Sequence, residues 1–514
     1  MKRFQFLWII SILSIPVLGI ASNPQKTAQK VLHKLYMANG NFQRKIPTIE
    51  LINQQQNIAV YIKKKNLIQL EIKAFQLCSS FGKDSLDALA FILSHELVHA
   101  IQPSKNVDET SFISYHKSFK SSLEIERNAD IQGIFISYLA GYKTIHMLPE
   151  IIERMYTIYQ LKDKIIKGYP TELERKTAAE IVISQANKLI ELFELANELH
   201  AISQFQYAIQ CLEYISKYYH GKEIYNNLGI NYLLLGINIP SKQLESFVYS
   251  IELDFNIRIK KPKPARGDDY IDPLEILEQQ QHFRKAKDYF QKAKKLDPQY
   301  YHADLNQFST YIMLNEISNA QQYYNDHLKL IKSKDVNFTD KLLLTKGILS
   351  AKTTHKQEAI TIWTSLLNSK DLILRSQAKQ NLISINVLTS LKNTHEQNNC
   401  QDFIPIDIND AKLNIQSTPT EEWIQMDTSF QLRKKQLMNS TLYSFVEDGF
   451  MHLNIHRINL NSNPKINTKD KTFISFGNKL RIMNCPNENT AYIVNEQELV
   501  KYILRYYKFL SPNP

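Results

Sequence analysis

Glycine is scarce, 13 residues in 514, and proline supplies only 17 more. All-β proteins spend glycine on tight turns, so the shortage excludes a chain built mostly of hairpins and favours long helices. Cysteine is scarcer still. Four cysteines in a chain of this length cannot make a disulfide scaffold. Beyond the first two dozen residues no apolar run is long enough to span a bilayer, which excludes a polytopic membrane protein. What is present is ordinary for a folded protein: 43% hydrophobic and 22% charged residues, with 27 Tyr and 24 Phe. The length implies two to four domains. The net charge of +11 is spread along the chain, with short runs at Lys63-Lys64-Lys65 and Lys260–Arg266. No nucleic-acid motif accompanies it. The charge reads as a general attraction to anionic surfaces, and no nucleic acid is expected as a partner.

Residues 1–21 have the three parts of a signal peptide. Lys2 and Arg3 form the charged start, and Leu7 to Leu18 an apolar core interrupted by Ser11, Ser14 and Pro16. Gly19-Ile20-Ala21 then offers small residues where a signal peptidase reads, so cleavage after Ala21 is expected. No Cys follows the core, which excludes a lipoprotein signal. The mature chain is expected to be exported, periplasmic or secreted, with no integral membrane segment. Cys78 and Cys211 sit in apolar surroundings and read as buried thiols. Cys400 and Cys485 flank the last segment and can pair there, although the spacing selects no pairing.

The expected fold is mainly α, in three parts after the signal. Residues 22–190 read as a small α+β domain, helical with a short sheet. It has a helix over 25–38, strands at Asn57–Ile62 and Leu67–Ile72, and a helix that starts near Asp84 and carries Leu86, Leu89, Ala90, Leu93 and Leu97 at three- and four-residue spacing. A second helix runs from about Ser122 to Ala140 and stops at Gly141. From about 191 to 392 the texture changes to helix pairs. Tyr225-x2-Leu228-Gly229-x2-Tyr232 matches the first helix of a tetratricopeptide repeat, and Ala286-x3-Phe290-x2-Ala293 the second. Ala320 follows Ala286 by 34 residues, one period of that repeat. Ala359 with Trp363 and Ala208 with Leu212 repeat the pattern, so an α-solenoid is expected here. Residues 400–514 alternate short β-like runs, such as Leu453–Leu460 and Thr472–Ile482, with Asn-rich turns. They read as a small mixed or β-containing domain without an assigned role.

The chemistry lies in His95-Glu96-Leu97-Val98-His99. On a helix the two histidines, at i and i+4, project from one face and can reach one Zn²⁺. Glu96 stands beside them without being a ligand, where a carboxylate can act as general base on a water. A catalytic zinc needs a third protein ligand. The metzincin extension is absent, since Gln102 and Lys105 stand at its glycine and third histidine. Glu126 on the following helix supplies the missing ligand. Asp130, one turn further, can hydrogen-bond a ligand imidazole and fix its orientation. Ala129 and Gly133 are small where those two helices need to approach.

Ala88–Ile101, then Glu126-x2-Ala129-Asp130-x2-Gly133, then Leu139-Ala140-Gly141-Tyr142, together resemble the gluzincin family of the CAAX prenyl endopeptidase and the HtpX heat-shock peptidase. The repeats make the chain similar to that family's exported BepA type. The run Asn57-Ile58-Ala59-Val60-Tyr61 looks like the strand before its catalytic helix. The resemblance implies a zinc metalloendopeptidase with one Zn²⁺ per chain, held by His95, His99 and Glu126, with Glu96 as base. It covers residues 45–180 and extends loosely through the repeats, which would bind a protein partner or an extended substrate. Family members commonly carry a His-Pro pair six residues before an Arg. Here Tyr169-Pro170 precedes Arg175, so Tyr169 stands in the histidine's place, where its O–H can donate to an oxyanion. The alternative is a periplasmic chaperone or assembly factor that works through its repeats and carries a latent peptidase. The intact Glu96 favours the enzyme.

Overall fold

A computed structural model of the chain describes residues 23–55, 58–101, 109–111, 119–162, 171–239, 247–251, 273–331, 336–388, 420–437, 440–448, 450–459, 474–476, 480–485, 489–495, 497 and 499–508. The signal segment, Tyr169 and Cys400 lie outside the described residues. The protein is mainly helical, with two sheets among the described residues, and divides into two compact units. One unit ends at Ile183; the other runs from Ser184 and takes with it the short segment Asn39–Lys45. Among the described residues no helix is long and apolar enough to cross a membrane.

The first unit opens with helix α1 (Pro24–Asn39), which buries Ala28, Val31, Leu32 and Leu35, the spacing of one helical face. Four strands follow: β1 (Thr48–Ile52), β2 (Ala59–Ile62), β3 (Leu67–Glu71) and β4 (Glu109–Ser111), in the order β1-β3-β2-β4. β1 lies parallel to β3, and the other pairings are antiparallel. The lysine run Lys63–Lys65 turns the β2–β3 hairpin, closing at Asn66, whose φ of 47° is left-handed, a conformation that asparagine tolerates. The sequence reading anticipated β2 and β3 but neither β1 nor β4. It also missed helix α2 (Ile72–Ser79), which follows β3 directly.

Helix α3 (Ser85–Ile101) is buried on every side from Ala88 to Ala100. Leu86, read as part of its apolar stripe, is 46% exposed, so the buried stretch begins later than the spacing implied. Helix α4 (Phe119–Leu139) packs across α3, and α5 (Leu148–Ile158) and α6 (Glu172–Ala201) follow. The α3–α4 crossing is close. A Cβ placed on Gly133 of α4 would lie 2.9 Å from Ser94 Oγ and 3.1 Å from the backbone nitrogen of His95. Ala129, one turn before it, is 1% exposed. Gly133→Val should therefore cost about 1–3 kcal/mol of stability through overpacking, read as a lower denaturant midpoint. A variant as stable as the parent would show that the crossing has slack.

The division between the units falls inside α6, between Ile183 and Ser184. In the second unit α6 is followed by α7 (Phe205–Ser216), α8 (Lys222–Asn238), α9 (Pro273–Leu296), α10 (Tyr301–Met313), α11 (Ile317–Asp326), α12 (Val336–Ala351), α13 (Lys356–Leu366) and α14 (Leu372–Ser384). Gly229 of α8 packs against Phe290 of α9. A Cβ on Gly229 of α8 would come within 2.5 Å of the Phe290 ring of α9, so the glycine is what lets the ring seat. Asn39–Lys45 is held in this unit by backbone bonds, from Phe42 N–H to Leu296 C=O and from Lys222 N–H to Gly40 C=O.

The C-terminal residues form an antiparallel sheet of eight strands: β5 (Thr420–Gln425), β6 (Phe430–Leu437), β7 (Ser440–Glu447), β8 (Phe450–Asn459), β9 (Ile474–Phe476), β10 (Leu480–Cys485), β11 (Thr490–Asn495) and β12 (Val500–Lys508). Their order is β5-β6-β7-β8-β12-β11-β10-β9. One face lies on α6 and α7. Tyr207 of α7 sits against Phe430 and Phe445, while Glu191 and Glu198 of α6 receive Lys434, Tyr443, Arg457 and Tyr502 from the sheet. Cys78 and Cys211 are buried free thiols; Cys485 is disulfide-bonded.

Candidate metal centre

Four polar side chains sit inside α3 where apolar ones would cost nothing: Ser94, His95 and Glu96 are fully buried, and His99 is 3% exposed. Burying such groups is unfavourable by a few kcal/mol each unless partners compensate, so their partners decide what the site is for. Ser94 is satisfied within the helix crossing. Its hydroxyl donates to Phe91 C=O and accepts from Ser137 of α4.

The histidines find their partners in each other and in the carboxylates of α4. His95 Nε2 and His99 Nε2 face each other at 3.1 Å. Glu126 Oε2, from α4, lies 3.0 Å from the first and 3.5 Å from the second. These three atoms converge on one point, and the three residues form a group able to hold a metal ion. A tetrahedral ion bound at ~2.0–2.1 Å separates its ligands by roughly 3.3 Å, which the spacing of these atoms matches. Glu126 Oε2 is buried without a well-formed hydrogen bond, as are both oxygens of Glu96. A divalent cation at this point would take one atom from each of the three residues. Glu126, with its side chain 21% exposed, is the one of the three that solvent reaches.

Helix geometry explains which glutamate arrives. Glu124 is exposed on α4, about 200° around the helix from Glu126, and takes no part in the group. Asp130, four residues after Glu126, shares its face and is 3% exposed. Asp130 Oδ1 lies 2.8 Å from His95 Nδ1, so His95 presents its other nitrogen to Glu126 and His99.

The charges act on one another strongly. Burial alone would push His95 down, but its bonds to Asp130 and Glu126 outweigh this and carry it up to about 10. His99 is lowered by burial. Glu126 would be raised by burial, yet the two histidines hold it far below the usual carboxylate range. Burial pushes Glu96 up to about 8, only partly offset by His95 and by the backbone of Tyr61 on β2. A cation at the centre would reverse this logic. It would favour neutral imidazoles and an ionised Glu96.

The structure thus brings together His95, Glu96, His99, Glu126 and Asp130. It adds one residue whose contact the sequence reading did not foresee. Arg175 Nη2 of α6 lies 3.1 Å from Asp130 Oδ2. The signal in the sequence was the place of Arg175 six residues after Tyr169, which named the residue but not its contact. Compared with known proteins, the chain matches no family model and no curated protein in sequence.

Proposed function

We propose that the chain is an exported zinc metalloendopeptidase that hydrolyses peptide bonds in protein substrates. The observation that carries this reading is the convergence of His95 Nε2, His99 Nε2 and Glu126 Oε2, with the carboxylate of Glu96 beside them and outside the ligand group. Three protein ligands leave a tetrahedral ion one open position, as catalytic sites do and structural sites do not. The chemistry that zinc supplies in such a site is the acidification of water and the polarisation of a carbonyl. Glu96 takes the proton from the attacking water and returns it to the departing amine. Asp130 keeps the His95 ring in place. Tyr169 is assigned the oxyanion donor. The finer layout belongs to the same proposal: a zincin-like domain to about 190, tetratricopeptide repeats to 392 that bind a protein partner or the substrate, and a β domain from 400.

The test is metal content together with hydrolysis of a denatured protein. The purified chain should carry about one zinc, lose hydrolysis to a chelator and recover it with added zinc. Glu126→Ala should lose both metal and activity, and Glu124→Ala should keep both. Zinc kept by the Glu126 variant and lost from the Glu124 variant would shift the register of α4 by two residues and undo the assignment.

A further inference from the structure

We propose that the outward face of α1 is a docking surface for an anionic lipid bilayer. The inference is independent of the metal reading above. α1 carries Lys26, Lys30 and Lys34 and no acidic residue. These three lysines, with His33 and Met37, are exposed. At about 100° of rotation per residue, the five side chains fall within an arc of roughly 100°. Ala28, Val31, Leu32 and Leu35 occupy the opposite side of the helix and are buried. The helix therefore commits its apolar face to its own unit and turns its positive charge outward. From Lys26 to Met37 the row runs about 16 Å along the axis.

Helical lysines elsewhere in the chain meet carboxylates. Lys188 lies 2.9 Å from Glu422, Lys287 2.8 Å from Glu316 and Lys346 3.2 Å from Glu358. Among the described residues no carboxylate pairs with Lys26, Lys30 or Lys34; the Lys34 ammonium lies over the Tyr142 ring instead, 4.5 Å from its centroid. Lys26 with Lys30 and Lys30 with Lys34 are like charges at i and i+4, an arrangement that costs a helix a little stability. A surface of opposite sign relieves that repulsion. The shape of the row selects the surface. Cations set in line on the outside of a helix can meet a plane along their whole length, and lipid headgroups present such a plane. No nucleic-acid motif accompanies the row. Because the apolar face of α1 is already buried, only Met37 is left to enter the headgroup layer, so the contact is electrostatic, reversible and weakened by salt.

The experiment uses the mature chain and measures, by sedimentation, its partition onto vesicles of phosphatidylcholine with phosphatidylglycerol and onto vesicles of phosphatidylcholine alone. The parent should bind the anionic vesicles and leave the neutral ones. Each lysine near an anionic surface is worth about fivefold in partition, so Lys26→Gln, Lys30→Gln and Lys34→Gln combined should lose roughly 100-fold. Glutamine keeps the helix propensity of lysine, so α1 should persist. The control combines Lys356→Gln, Lys370→Gln and Lys379→Gln, which removes the same charge from exposed positions of the second unit and should bind like the parent. Salt at ~1 M, where the screening length is ~3 Å, should release the parent. Equal losses in the two triple variants would mean that net charge alone drives binding, and would overturn the proposal. A parent that ignores anionic vesicles, or binds neutral ones as well, overturns it too. If that parent is instead held by immobilised polyglutamate through the same three lysines, the face belongs to an acidic protein and not to a membrane. Should the α1 triple variant fail to fold, Lys30→Gln alone decides: a loss of about fivefold supports the proposal, and parent-like partition overturns it.

Discussion

Glu96→Gln is expected to fold, to keep its zinc and to lose hydrolysis of a denatured protein by about 10²–10⁴-fold, the usual contribution of a general base. Metal should stay because Glu96 is not in the group of converging ligand atoms. Stability should stay because the cost of burying the wild-type carboxylate outweighs what His95 and the backbone of Tyr61 return to it. It is fully buried, neither oxygen has a well-formed hydrogen bond, and burial pushes it up to about 8. An amide of the same shape avoids the cost of an ionised group there but cannot accept the water's proton. The two roles open to Glu96 therefore separate. A structural acid predicts a less stable variant with altered metal content; a base predicts a variant intact in both and slow. Turnover near that of the parent, with zinc bound, would remove Glu96 from the mechanism.

The two pairs of the candidate site, His95 with His99 and Glu126 with Asp130, were legible in the sequence because helix geometry sets each. Residues at i and i+4 share a face, so His95 and His99 had to point together, and the spacing of Glu126 and Asp130 gave the second helix its register. Arg175 was named by its spacing from Tyr169, but its contact with Asp130 was hidden for the opposite reason. Its contact with Asp130 joins helices distant in the chain, and no periodicity announces such a pairing. Short elements also escaped. β4 has three residues and β1 five, too few for alternation to register. In the C-terminal sheet, β8 stood out as an alternating run, whereas β11 did not. Thr490 to Val494 are all buried, so the polar face that marks an ordinary antiparallel strand is missing. Complete burial likewise blurred α3, where the apolar stripe counted from Leu86 is really a helix covered on all sides from Ala88.

Arg457→Met should be the most destabilising substitution in the second unit, by about 3–5 kcal/mol, the cost of stranding one partner of a buried ion pair. Glu198 of α6 is fully buried, and its Oε1 accepts from Arg457 Nη2 of β8 at 2.7 Å and from Tyr502 of β12 at 2.9 Å. Its Oε2 is buried without a hydrogen bond. Even with the arginine present, burial keeps the Glu198 carboxyl above the usual range, with Glu194 adding repulsion and Arg457 and Tyr502 opposing it. Removing the guanidinium leaves Tyr502 as its sole remaining partner of the two, and the carboxyl must rise further. The pH dependence follows in sign. Between its unfolded and folded values Glu198 holds a proton in the native state that the unfolded chain releases, so stability falls as pH rises through that window. The deficit of Arg457→Met should therefore be larger at pH 8 than at pH 5. The double variant Glu198→Gln with Arg457→Met should regain most of the loss, since no buried charge then stands alone. Denaturant melts of the three chains at the two pH values test this. A deficit independent of pH, or a double variant no better than the single one, would mean that Arg457 matters for its packing against Tyr443 and Tyr502 rather than for its charge.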